Sequence, residues 1–278
     1  MNREKTRALR SIVRRVLPAG LRRILRTSWR ELPNWIHDVP VDLREWLRRS
    51  PAQIPPSWLR RRVGLTSSRA EFLAIGEEAA GSVLRAYRAV QGGENGAGRW
   101  LDFGCGVGRI SIPLRRSGIE ALWGVDPDRG AIRWLRRRFG PERFSESPRQ
   151  PPLSFPAGSF DVVLAVSIFT HLDEADQFSW LAEIARLLRP GGVLIASTHG
   201  RELLVTRDDL DPEQIAQLDA AGFLFAPGDG TFNSNSTFHT ADSMNQSWGA
   251  WFDRRLFLEK GLLNYQDLSV WEKRNDVE

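Results

Sequence analysis

One cysteine in 278 residues, Cys105, excludes an internal disulfide framework and leaves no cysteine cluster for zinc. Four histidines, His37, His171, His199 and His239, stand without H-x-x-x-H or facial-triad spacing, so no metal site is expected. No stretch approaches about 18 consecutive apolar residues, which leaves no transmembrane helix to expect. The basic N-terminus lacks a continuous apolar core and an A-x-A-like cleavage site, and does not read as a secretory signal. The lack of disulfides suits a reducing, cytoplasmic setting. Lysine is nearly missing as well: three of the 39 basic residues are lysine and the rest arginine. That skew fits genome base composition better than selection for bidentate phosphate contacts.

What is present is unevenly spread. Residues 1–62 hold sixteen basic and five acidic side chains, a net +11, while the remainder carries −6. The body shows no basic patch interleaved with aromatics, so no nucleic-acid partner is expected. In the basic segment Leu9, Ile12, Val13, Val16 and Leu17 recur at helical spacing, and after Pro18-Ala19-Gly20 so do Leu21, Ile24, Leu25 and Trp29. Such a segment can pack as a helical arm on the protein or on another subunit, or lie on an anionic membrane surface. Residues 51–62, rich in proline, read as a connector. The expected division is therefore a helical arm and linker at 1–64 and one domain at 65–278.

From Ser67 a long helical pattern runs through Phe72, Val83 and Val90 to Gly92-Gly93. Strand and helix then alternate. Strands are expected at 101–103, 121–125, 143–145, 160–165 and 193–197, with helices from Ile110, at 128–139 and at 174–188. Asp173 serves as N-cap of the last, and Pro190-Gly191-Gly192 as its stop. That rhythm implies a parallel sheet covered on both faces. After residue 198 it changes: a short helix at 211–221, a loop or hairpin at 222–232, a helix at 240–250, and a final antiparallel strand pair at 252–258 and 266–271.

The segment Arg99-Trp100-Leu101-Asp102-Phe103-Gly104-Cys105-Gly106-Val107-Gly108-Arg109 is a strand breaking into glycines before a helix, the turn that brings bare backbone to a nucleotide-like ligand. Its G-x-G-x-G departs from the dinucleotide G-x-G-x-x-G, and no G-K-[ST] follows for a phosphate loop. Asp126, ending the next strand eighteen residues past Gly108, can accept hydrogen bonds from both hydroxyls of a ribose. Three further stretches follow in order: Gly124-Val125-Asp126-Pro127-Asp128, Ser159-Phe160-Asp161-Val162-Val163-Leu164-Ala165-Val166-Ser167-Ile168-Phe169-Thr170-His171-Leu172, and Leu187-Leu188-Arg189-Pro190-Gly191-Gly192. Together they resemble the class I S-adenosylmethionine-dependent methyltransferases over about residues 70–199.

The resemblance implies a Rossmann-like α/β fold with a mostly parallel seven-stranded sheet, helices on both faces and an antiparallel C-terminal strand. It implies a bacterial enzyme with S-adenosyl-L-methionine as cofactor. Asp102, Gly104, Cys105 and Gly106 would line the donor's methionine and ribose, and Asp126 would hold the ribose hydroxyls. Ala165 and Ser167 would border the methionine amine or the transferred methyl. Phe155 stands where the family often has Leu-Pro-Phe, and Glu146-Ser147-Pro148-Arg149-Gln150 departs from the acidic position many members place near the adenine. Read on their own, Gly108 can serve only helix–strand packing, Asp102 only the turn, and Cys105 is a small buried residue rather than a nucleophile. His171 is the leading candidate for a base if the acceptor is a hydroxyl, and its competing role is to orient the next helix; His199 and His239 rank behind it. The expected acceptor is a small molecule, a glycan or a lipid-linked compound, with oxygen the expected atom. A noncatalytic scaffold of the same fold, and more distantly an NAD-binding oxidoreductase, remain as alternatives.

Overall fold

The computed structural model describes residues 54–63, 68–92, 98–205, 212–228 and 234–275. The basic arm at 1–50 lies outside the described residues. The chain divides into two compact units, residues 1–72 and 73–278. In the first, residues 57–60, expected within a connector, form one helical turn, α1 (Ser57–Arg60). Leu59 is buried there, and Arg60 Nη1 donates to the Pro55 carbonyl at 2.5 Å. Helix α2 (Arg69–Gln91) begins in the first unit and continues into the second.

In the larger unit β1 (Trp100–Phe103), α3 (Ser111–Arg116), β2 (Leu122–Asp126), α4 (Arg129–Phe139), β3 (Phe144–Glu146), β4 (Phe160–Ala165), α5 (Glu174–Leu187) and β5 (Leu188–Thr198) alternate as expected. Then follow α6 (Arg201–Val205), α7 (Pro212–Ala221), β6 (Phe223–Ala226), β7 (Ser236–His239), α8 (Ala241–Trp248), β8 (Phe252–Leu262) and β9 (Gln266–Lys273). The main sheet has seven strands in the order β3-β2-β1-β4-β5-β9-β8. Pairs from β3 to β5 are parallel; β9 runs antiparallel between β5 and β8. Strand order reverses between β1 and β4, the switch point at which open α/β sheets bind ligands beyond the strands' C-terminal ends.

Strand periodicity sends alternate residues to opposite faces, and both are covered. Leu101, Phe103, Val163, Ala165, Leu194 and Ala196 join Trp180, Leu181 and Ile184 of α5 in one core. Trp100, Val162, Leu164, Val193 and Ile195 join Ala79, Val83 and Leu84 of α2 and Leu114 of α3 in the other. Two elements differ from expectation. Pro190-Gly191-Gly192 does not simply stop α5, because the helix already ends at Leu187 and those residues lie inside β5. The extended residues are absorbed by a register shift against β4 between Phe160 and Val162. The hairpin expected at 222–232 pairs β6 with Ser236–His239 instead, so its second strand lies further along the chain. With α6 and α7 this two-stranded sheet forms a small insert with its own core of Leu203, Leu204, Leu218, Leu224 and Phe238.

Candidate active site

The turn after β1 is tied to β2 by backbone and carboxylate together. Gly104 and Cys105 donate their N–H groups to Val125 O at 2.9 and 3.0 Å, and Gly106 donates to Asp126 Oδ2 at 2.7 Å. Gly104 has φ +76°, a conformation that favours glycine, and a Cβ there would also meet the end of the Ile168 side chain. Gly108, φ +77°, instead lets Leu135 of α4 pack close: a Cβ would lie 2.8 Å from Leu135 Cδ2. Its place is the helix–strand contact.

Two buried carboxylates face this turn. Asp126, at the end of β2, accepts from Gly106 through Oδ2 and from Asp128 N through Oδ1, each at 2.7 Å. Burial raises its pKa, and those two N–H donors counter part of the rise. A carboxylate has about four lone-pair sites, so two remain for a vicinal diol. Asp102, 3% exposed, accepts from Ser111 Oγ at the start of α3. Burial lifts its pKa to about 6; the Ser111 bond lowers it, the Asp126 charge raises it and Arg109 lowers it. Arg109 is itself pushed down by burial, with Asp102 countering. A buried carboxyl poised near pH 6 is a receptor for a further cation.

Not every expected residue reaches this place. Cys105 turns its side chain into a cluster with Ile132, Leu135 and Phe144, where burial pushes the thiol well up. Its N–H and carbonyl are both engaged, with Val125 and Gly108. Ala165, the last residue of β4, is fully buried and paired with Ala196 of β5. Ser167 follows with φ +58°, its N–H on Ser197 Oγ at 2.8 Å and its hydroxyl on Gln266 Oε1 at 3.0 Å. Phe155 is not brought here. Its ring lies 5.0 Å from that of Phe160, the first residue of β4, at the opposite end of the strand from Ala165. Its carbonyl accepts from Arg186 near the end of α5, which holds the segment away from the turn. Glu146, at the position departing from the acidic pattern, pairs with Arg129 at 2.9 Å.

The opposite side of the mouth is built from distant chain. His171 Nδ1 lies 2.7 Å from Asn235 O, just before β7. Its ring is 6.4 Å from that of His199, which in turn faces Phe238 at 5.3 Å and Tyr265 at 6.0 Å. Thr237 anchors the insert through N–H to Thr170 O and Oγ1 to Leu172 O. His239 lies deeper: Gln177 donates to Phe169 O and Leu172 O, which leaves its Oε1 for His239 Nε2 at 3.0 Å. Burial takes His239 down to about 3. Sequence reasoning missed Ser111, Ser197 and Gln266. A serine opening the helix after the glycine turn was a usable signal for the first; the other two have none at short range.

The family model described as a methyltransferase domain matches residues 101–196, from β1 through most of β5. Over that stretch the chain carries a methyltransferase domain of the class I S-adenosylmethionine-dependent type. Among curated proteins it is similar to the ubiquinone biosynthesis O-methyltransferase of Bradyrhizobium sp. (strain ORS 278), 32% identical over 105 residues, which cover 37% of this chain and 40% of that one. It is also similar to the protein of that name from Ruegeria pomeroyi, 36% identical over 106 residues, covering 37% and 42%. The chain thus spans about two-fifths of the length of the curated relatives it matches. Among solved structures, a Pyrococcus horikoshii OT3 protein superposes with TM-score 0.53 at 20% identity, covering 73% of this chain and 95% of that one. The 1,6-didemethyltoxoflavin-N1-methyltransferase of Burkholderia thailandensis, solved with S-adenosylhomocysteine, gives 0.52 at 19%, covering 74% and 87%. At these identities the two structures establish the fold. The methyltransferase's donor, S-adenosylmethionine, suits the groups present: a diol for the free lone pairs of Asp126, and positive charge for buried Asp102.

Proposed function

We propose that this chain transfers the methyl group of S-adenosylmethionine to a hydroxyl oxygen of a small-molecule acceptor, a class extending to sugars and lipid-linked compounds, with His171 as general base. The observation that carries the reading is the His171 ring. A carbonyl can only accept, so Nδ1, opposite Asn235 O, bears the proton and Nε2 keeps its lone pair. Burial holds the ring below its ordinary pKa, with the Asn235 bond opposing, so it is uncharged near neutrality and ready to take a proton. The similarity to proteins named O-methyltransferases supports oxygen as the receiving atom.

When bound, the donor supplies a sulfonium methyl whose leaving group needs no proton. Alignment and exclusion of water then supply much of the rate. Asp126 would grip the ribose and Asp102 the methionine ammonium, with Gly104 and Gly106 admitting the donor to the backbone and Ala165 and Ser167 bordering the methyl. His171 would draw the acceptor's proton as the C–O bond forms and the C–S bond breaks, the sulfur keeping the electron pair. The division at 64/65, with an arm that meets a membrane or subunit from a cytoplasmic location, belongs to the same reading. Among the described residues no helix is long and apolar enough to cross a membrane.

Calorimetry with S-adenosylhomocysteine and methyl uptake from labelled donor test this. Wild type should bind and transfer, and His171→Ala should bind without transferring; absence of binding by wild type favours the scaffold. Co-sedimentation with anionic liposomes, with and without residues 1–50, tests the arm, and equal recovery removes the membrane role.

A further inference from the structure

Beside His171, four polar groups from three separate places in the chain are joined by hydrogen bonds. Ser167 N–H donates to Ser197 Oγ at 2.8 Å. Ser197 Oγ in turn donates its own proton to Gln266 Oε1 at 2.7 Å. Ser167 Oγ donates to the same oxygen at 3.0 Å, filling both lone pairs of the amide carbonyl. The Gln266 amide is thereby oriented, and its Nε2 lies 3.3 Å from His199 Nε2. An amide nitrogen donates and does not accept, so the facing imidazole nitrogen must be the one without a proton. Gln266 is 7% exposed, Ser197 fully buried and His199 6% exposed, so water does not substitute for these partners.

We propose that Gln266 is a positioning residue of the methyl-transfer site, which holds His199 as the neutral Nδ1–H tautomer and fastens it to the Ser167 turn where the methyl is delivered. The inference rests on the reading of His171 as base, and explains how a second imidazole can stand 6.4 Å away without opposing it. A charge on His199 would repel a positive donor and disfavour the proton His171 must collect. An N–H donor on Nε2 blocks that charge at its site of entry. Among the described residues, the titratable groups around His199 include His171 after β4, Tyr265 before β9, and Asp267 of β9, whose carboxyl stands where a Cβ on Gly200 would go. Glu202 of α6 and Lys260 of β8, which pair at 3.4 Å, lie beyond, Lys260 N donating to Asp267 Oδ1. His239 meets His199 through its backbone N–H on the His199 carbonyl.

The decisive measurement is nitrogen NMR of histidine-labelled full chain, with resonances assigned from a His199→Asn variant. Wild type should show His199 protonated at Nδ1 and uncharged from pH 8 to 6; protonation at Nε2 overturns the proposal. In Gln266→Glu a carboxylate replaces the donor and should raise the His199 midpoint by about one pH unit or more. Gln266→Met keeps the bulk without the N–H and should raise it as well; an unchanged midpoint in a folded variant of either kind overturns the proposal. With an acceptor in hand, the acid limb of kcat/KM should move upward in Gln266→Glu, whereas a purely structural role would lower stability without moving it. The tautomer and midpoint are read without donor or acceptor. Loss of the methyl-transfer reading alone would therefore leave them as expected but no methyl uptake in wild type.

Discussion

The two halves of the site are made differently. Around the glycine turn, where we propose the donor binds, Asp102, Gly104, Gly106, Ser111 and Asp126 lie within 25 residues and are joined through β1, β2 and the turn between them. Around His171, where we propose the acceptor binds, His171 meets Asn235 across 64 residues, Ser197 meets Gln266 across 69, and Ser167 meets Gln266 across 99. The first half is a local motif seated at a switch point. The second exists only once the insert has folded onto β4 and β5 and β9 has returned between β5 and β8. The family match takes in the whole of the first half and stops short of Ser197, Asn235 and Gln266, which complete the second.

The sharpest way to separate the halves is His171→Ala, which should lower kcat by about 10²–10⁴-fold while leaving donor affinity within about twofold. Parallel calorimetry and labelled-methyl uptake check this, and an equal loss of binding would mean the halves are not separable. Next comes the acid stability of the insert. His239 folds with its pKa depressed to about 3, so below about pH 6.5 the unfolded chain binds the proton that the folded one refuses. Stability should fall as pH drops from about 6.5 toward 3, by on the order of 5 kcal/mol in full. Denaturant midpoints of His239→Gln should show a flatter acid limb, and a limb identical to wild type would remove His239 as its cause.

On the donor side, Asp126→Ala should weaken S-adenosylhomocysteine binding by about 10²-fold, through lost charge-assisted bonds and a loosened Gly106. Titration calorimetry reads that loss, and affinity within threefold of wild type would deny Asp126 the ribose. The smallest effect concerns Asp102. A carboxyl with pKa about 6 holds its proton when folded between about pH 3.8 and 6, a stabilising contribution present below 3.8 and lost as pH rises through 6. A donor ammonium favours the ionised form, so affinity should fall by up to about tenfold as pH drops from 7 to 5. In Asp102→Asn that pH dependence should vanish.

Much of the donor half was legible because its signals are short in sequence. Glycines at a strand's end, a carboxylate ending the next strand and alternating apolar runs each report within a few residues. Phe155 shows the limit of such reading. Its position beside a family pattern placed it with the donor, yet packing on Phe160 and the Arg186 contact hold it at the far end of β4. The second strand of the insert hairpin was missed because pairing partners across a loop are set by the ladder, not by the turn residues nearest the first strand.

By itself the sequence determined the alternation of β and α and the glycine turn with its two carboxylates, since helix, strand and turn propensities act between near neighbours, while the expected donor came from the resemblance of those stretches to a family. Which histidine nitrogen carries a proton, and which glutamine faces it, was decided only by tertiary structure. Those choices depend on a carbonyl at 235 and an amide at 266 arriving beside residues 171 and 199, and a hydrogen bond forms only between groups that the whole fold has brought to about 3 Å.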